Sequence, residues 1–271
     1  MRAEDQRLEG VLGVALLDLT TRHTLLLNAD ETFPTASTIK IAILAELYRQ
    51  AQQGKLKLTD TYTLQRSDLV GGSGIASALT PGTTKLTLRD VAALMISVSD
   101  NSMTNVLIDR VGLDNVNALL DSLDLAHTRL RRKMMDIRAA AEGRENAATP
   151  RELMLLLEAL YRGKVLNKQF TDDYFNLLSI PKSSYIPREL PEDLRIANKP
   201  GELEGVRNDC GLVFTGSRPY ILCAMSTYLR NERAAGDAIS RLSGETYRMF
   251  DRLGRASDLG RIVSPHDSSN P

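Results

Sequence analysis

Residues 10–19 read GVLGVALLDL, an apolar run broken only by small residues and a single aspartate. At this length such a run fits a strand covered on both faces. A turn at Thr20-Thr21-Arg22 and a second run over residues 23–28 make the first pair a hairpin. Strand patterns return near the other end, at 194–199, 209–215 and 220–227, the last two joined by Gly216-Ser217-Arg218-Pro219. Between the two ends the pattern is helical. The chain therefore has to bring its ends together into one sheet and carry a block of helices between them.

The helices have readable ends. Residues 2–9 predict a short one. Ser37 opens a largely apolar helix of about 15 residues that stops at Gly54. Others follow a capping threonine over 87–97, end before Gly112 over 102–111, and cover 113–123. Thr149-Pro150 starts another, with proline at the first helical position and Gly163 past the end. A final helix spans 231–253, and the Ser/Asp/Pro-rich tail from Arg255 reads as disordered. Two long loops, a Gly-rich hairpin-like one over 69–84 and an irregular one over 129–148, exceed what compact domains use as plain connectors. The expected organisation is a discontinuous α/β domain (1–55 and 186–271) with an inserted helical domain (56–185). A cleft between them would suit a ligand.

Composition narrows the function. A chain of 271 residues buries roughly three-quarters of its unfolded surface, so it needs no staples. Thirty-four basic residues balance 34 acidic ones, which argues against electrostatic nucleic-acid binding. The run Arg129-Leu130-Arg131-Arg132-Lys133 reads as a solvated loop. Cys210 and Cys223 fall on consecutive strands and make neither a disulfide framework nor a metal site. Buried free thiols are the expectation, and sequence does not decide their pairing. No stretch of about 18 apolar residues occurs, so no membrane span is expected. The charged start, Met1-Arg2-Ala3-Glu4-Asp5, has no signal-peptide character. A cytoplasmic protein and a mature exported chain both look like this.

Three strings carry chemistry: Ser37-Thr38-Ile39-Lys40, Ser99-Asp100-Asn101 and Lys199-Pro200-Gly201. A serine hydroxyl attacks at neutral pH only when a neighbour takes its proton. None of the three histidines (His23, His127, His266) has a serine-protease-like context, so a lysine is the best base available. Ser37 and Lys40 are three apart and share a helix face. In the first turn the N–H of Ser37 is unpaired and is free to bind an oxyanion. Each string alone reads as no more than a helix cap or a strand-to-turn signal. The three in order, each at an element boundary, are more specific.

Together they resemble the S-x-x-K, S-D-N and K-T-G strings of class A β-lactamases and penicillin-binding proteins, over nearly the whole chain. The resemblance implies an α+β, β-lactamase/transpeptidase-like fold with an antiparallel five-stranded sheet and an inserted all-helical domain. It implies that Ser37 is the acylated nucleophile and Lys40 its base. Ser99 would relay the proton to the leaving nitrogen, and Lys199 would orient Ser99 and attract a substrate carboxylate. The N–H groups of Ser37 and Glu202 would form the oxyanion hole, Asn101 and Gly201 would contact substrate, and Arg207 would bind a carboxylate. The implied partner is a β-lactam or a peptidoglycan-peptide-like molecule, taken by a periplasmic or secreted monomer without cofactor or metal. The related alternatives are a penicillin-binding D,D-peptidase or esterase and a β-lactam sensor acylated once.

Two positions depart from the family pattern. Pro200 stands where the third string has a hydroxyl residue, which removes that hydroxyl and a backbone N–H. Carboxylate recognition should weaken or shift to Arg207 and Lys199. Aligning on Thr128-Arg129-Leu130 and Thr149-Pro150 puts Met134 where the family carries the glutamate that activates the deacylating water. A thioether is no base. Asp136, Glu142 and Glu145 lie in the same loop and read as ordinary loop carboxylates. The Gly71-Gly72-Ser73-Gly74-Ile75 string lacks the Lys-Ser/Thr of a phosphate loop and is expected at one lip of the cleft.

Overall fold

The computed structural model describes residues 1–257, 259, 260 and 262, and the expectation made for the tail falls mostly outside that set. The chain starts with one helical turn, α1 (Arg2–Asp5). It is shorter than the helix expected over 2–9 because it has no side-chain cap and buries none of its residues. β1 (Val11–Asp18), β2 (Thr24–Leu27) and the short β3 (Phe33–Pro34) follow. A 3₁₀ turn, Ala36–Ile39, runs directly into α2 (Lys40–Gln52). Ser37 thus sits in a 3₁₀ turn ahead of the α-helix rather than inside its first turn.

β4 (Thr61–Thr63) and β5 (Lys85–Thr87) pair as a ribbon at the base of the Gly-rich segment. That segment contains only two single 3₁₀ turns, not a hairpin. Four helices follow: α3 (Leu88–Ser97), α4 (Asn101–Val111), α5 (Leu113–Asp121) and α6 (Ile137–Ala141). β6 (Ala147–Ala148) pairs with β3, and α7 (Pro150–Tyr161) and α8 (Lys168–Leu178) complete the helical block. The chain ends with β7 (Ile196–Leu203), β8 (Val206–Val213), β9 (Tyr220–Thr227) and α9 (Glu232–Gly254).

The five long strands form one antiparallel sheet in the order β2-β1-β9-β8-β7. Alternation along β1 sends Leu12, Val14 and Leu16 to the α9 side, where Leu222, Leu242 and Phe250 meet them. Ala15 and Leu17 go to the other side, into a single apolar cluster that continues through α2 to α8. α2 is the axle of that cluster: every residue from Lys40 to Tyr48 is buried. Its one buried carboxylate, Glu46, accepts from Arg49 and Gln50. Cys210 and Cys223 lie directly opposite each other on β8 and β9 and are buried free thiols.

β7 does not stop at Lys199. It runs through Pro200 to Leu203 and lies at the sheet edge. Phe214 N–H donates to the Arg195 carbonyl at 3.0 Å, and Leu203 pairs with Val206 across a two-residue turn. Odd-numbered residues of β7 therefore bond to β8, and even-numbered ones turn their N–H and C=O outward. Pro200 sits at an outward position, where the missing donor costs the ladder nothing.

Candidate active site

The 3₁₀ turn, the α3–α4 break and β7 bring the three strings together. Ser99 is the hub. Its Oγ lies 2.8 Å from Ser37 Oγ and 3.0 Å from both Lys40 Nζ and Lys199 Nζ. Lys40 Nζ also donates to the Ser99 carbonyl at 2.7 Å and to Asn101 Oδ1 at 3.2 Å. Lys199 Nζ donates to the Pro200 carbonyl at 3.0 Å. Among the described residues no direct hydrogen bond joins Lys40 to Ser37; the connection runs through Ser99.

Both amines are fully buried, and neither has a carboxylate within ion-pair distance among the described residues. Burial, reinforced by the charge of Lys199, holds Lys40 well below its usual pKa, with Asp100 opposing. Burial and the charge of Lys182 bring Lys199 down to about 7, against Asp209 and Glu202. The backbone around them is strained. Ala36 has φ 47°, Ser99 φ 55° and Met135 φ 64°, a left-handed region that costs such residues on the order of 1–3 kcal/mol each.

Gly201 shows how tightly β7 approaches the nucleophile candidate. A Cβ there would lie 2.6 Å from the Thr35 carbonyl and 3.0 Å from Ser37 N. The next residue, Glu202, turns its N–H outward to the same side as the cleft. Its carboxylate instead accepts from Tyr185 Oη. The two N–H groups of the expected oxyanion hole thus border one space, with Ser37 and Glu202 both in the walls of each adjoining cavity.

One cavity, about 510 Å³, extends along β7 past Ser99, Lys199 and Pro200 to Lys182. The other, about 460 Å³, lies under the two long loops and is lined by Gly72, Asn101, Met134, Met135 and Ile137. Asp100 holds the Gly-rich loop in place: its Oδ2 accepts from the N–H groups of Ile75 and Ala76, while its Oδ1 caps α4 at Met103 N. Asn101 adds a bond from Nδ2 to the Gly71 carbonyl at 3.2 Å.

Met134 is buried beside this second cavity, and Asn105 binds both its N–H and its carbonyl. The loop carboxylates are occupied elsewhere. Asp136 caps α6, Glu142 pairs with Arg138 and Arg144, and Glu145 pairs with Arg132. The basic run is partly neutralised by Asp121, Glu145 and Asp109.

One expectation is corrected. Arg207 stands opposite Glu202 in the register, on the sheet face that carries α9. There its guanidinium pairs with Glu232 and donates to the carbonyls of Leu203 and Val206. It lines neither cavity. Its neighbour Asn208, opposite Gly201, is buried on the other face, and donates to the carbonyls of Pro34 and Thr35 just ahead of the 3₁₀ turn. Two contributors were not singled out from sequence. Asn105 was within reach, four residues after Asn101 on the same helix face. Lys182, a single lysine between a helix and a strand, carries no sequence signal.

Among the described residues no cluster of possible metal ligands occurs, and no helix is long and apolar enough to cross a membrane. The sequence profile of the beta-lactamase enzyme family matches residues 2–250. Beta-lactamase CTX-M-97 of Escherichia coli is 30% identical over 210 residues, 76% of this chain and 72% of that protein. The beta-lactamase of Sphaerobacter thermophilus DSM 20745 superimposes with a TM-score of 0.86 at 33% identity, covering 92% of this chain and 94% of that one. PBP-A superimposes with a TM-score of 0.84 at 25% identity, covering 93% and 96%. With that fold and these matches, the chain belongs to the beta-lactamase enzyme family, among the class A β-lactamases and their penicillin-binding relatives.

Proposed function

We propose that the protein is an active-site-serine hydrolase acylated at Ser37 by β-lactams or D-Ala-D-Ala-like acyl groups, and that it releases the acyl group slowly. The network centred on Ser99 is the observation that carries the acylation half. Lys40 faces two obligatory acceptors, the Ser99 carbonyl and Asn101 Oδ1, and one hydroxyl. A neutral amine fits this set, with two N–H groups for the acceptors and its lone pair toward Ser99 Oγ. Its depressed pKa favours that neutral form.

The steps follow. Ser37 Oγ bonds to the acyl carbon as its proton passes to Ser99, and the Ser99 proton passes to Lys40. The N–H groups of Ser37 and Glu202 stabilise the oxyanion; one such donor is worth roughly a hundredfold or more in rate. Collapse of the intermediate breaks the C–N bond, and the proton returns from Lys40 through Ser99 to the leaving nitrogen. Hydrolysis of the resulting ester needs a base for water. Met134 has none, and the nearby carboxylates have other partners.

The same feature favours a penicillin-binding D,D-peptidase, or a sensor acylated once, over an efficient resistance enzyme. Substrates of either kind imply residence in the periplasm or outside the cell. The test is intact-protein mass after exposure to benzylpenicillin, combined with burst kinetics on a chromogenic cephalosporin. One equivalent of stable adduct and a burst of about one per chain, followed by near-zero rate, are expected. Sustained turnover overturns slow release, and absence of any adduct overturns acylation.

A further inference from the structure

Within the third string, the cavity that runs along β7 offers a substrate carboxylate only the Lys199 ammonium. Pro200 offers neither hydroxyl nor N–H, and Arg207 is on the other sheet face. The far end of the cavity is nevertheless cationic. Lys182 and Ser183 line it, as do Ser97 and Ser99. Its Nζ donates to the Leu178 carbonyl at 2.8 Å, which leaves two N–H groups with no hydrogen bond in the structure. Among the described residues no carboxylate lies within ion-pair distance of it. Glu202, the acidic residue in the same wall, has its carboxylate on Tyr185. Asp209 lies buried beneath, and its oxygens are shared among Asn198 and the N–H groups of Tyr185 and Ile186.

Resting on the serine-acylation reading, we propose that Lys182, assisted by the Ser183 hydroxyl, is the carboxylate subsite of this cleft, on the leaving-group side of Ser37. Two ammonium groups, Lys182 and Lys199, face one cavity and repel each other. Lys182 is itself brought down to about 8 by burial, with Asp209 opposing. A bound carboxylate relieves this repulsion, which neither a neutral ligand nor a second cation does. An ammonium on a flexible stem also tolerates more carboxylate positions than a guanidinium fork. The subsite therefore suits acyl donors whose acid lies farther along the β7 edge than the Lys-Pro-Gly turn.

The experiment compares Lys182→Ala and Lys182→Arg with the parent protein. Second-order acylation constants are measured with benzylpenicillin and with a carboxylate-free activated ester of phenylacetic acid. Lys182→Ala is expected to lose at least about tenfold more on the penicillin than on the neutral ester, with Lys182→Arg restoring most of the difference. Equal losses on both substrates overturn the subsite. In a Ser37→Ala background, where no bond forms, the Kd for benzylpenicillin is expected to rise about tenfold on adding Lys182→Ala. No change there also overturns it. A protein that binds benzylpenicillin through Lys182 but is never acylated would sink the acylation reading alone.

Discussion

Asn105 holds Met134 by both ends of its backbone: Oδ1 accepts the Met134 N–H at 2.8 Å, and Nδ2 donates to its carbonyl at 3.1 Å. Buried on α4, Asn105 fixes the loop residue beside the Ser37 cavity whatever its side chain. On the proposed reading, with the backbone so held, the side chain at this position is what decides whether water is activated.

Met134→Glu is accordingly expected to shorten the lifetime of the penicillin adduct by roughly a hundredfold, the usual worth of a general base. Decay of the adduct mass after removal of free penicillin measures it. An unchanged lifetime would show that the new carboxylate does not reach the ester.

Ser37→Ala should abolish covalent labelling by a penicillin probe, and persistent labelling would remove Ser37 from its role. Ser99→Ala should still label, but with an acylation rate lower by about 10²–10⁴, since the path from Ser37 to Lys40 runs through its hydroxyl. Stopped-flow labelling of the two variants separates loss of the nucleophile from loss of the relay.

Gly201→Ala tests the oxyanion space. Its methyl group would sit 3.0 Å from Ser37 N and 2.6 Å from the Thr35 carbonyl, so β7 must retreat. Acylation should fall by roughly 10²–10³, and stability by about 1–3 kcal/mol from overpacking. Rate and denaturation midpoint are both to be measured. A normal acylation rate would place the developing charge elsewhere.

The pH profile follows from the two buried lysines. Burial and the charge of Lys199 hold Lys40 well below its usual pKa, which favours its neutral, basic form. Lys199 is charged below about 7 and neutral above it. The acylation constant for an anionic β-lactam should therefore fall as pH rises through about 7 and on through about 8, where Lys182 also loses its charge, while that for a neutral ester does not. Because this constant reports the free protein, substrate charge does not distort the limb. A flat profile to pH 9 with the anionic substrate would exclude both Lys199 and Lys182 as its attractors.

Much of the molecule was legible in its residue order. The apolar run at 10–19, the proline and glycine at the ends of α7 and the capping residues of α3 and α4 specify local structure by themselves. The residue pattern marked the first hairpin; the five-stranded antiparallel sheet came with the family resemblance, and the strand order only with the structure. The three strings named Ser37, Ser99 and Lys199 because their chemistry depends on residue type. The strand reading failed at Pro200, where local propensity says stop. At an edge position whose N–H would point away from the partner strand, proline breaks no bond.

What only the tertiary structure decided is direction. A strand sends neighbouring residues to opposite faces, so a shift of one position turns Arg207 to Glu232 and Asn208 to the backbone that leads into the Ser37 turn. Lys182, on a connector without periodicity, meets Lys199 only because the helical block packs against the β7 edge. Residue order determines which groups a chain owns and which local elements it forms. Register and packing at a distance determine which of those groups share a cavity, since no local pattern encodes the meeting of segments far apart in sequence.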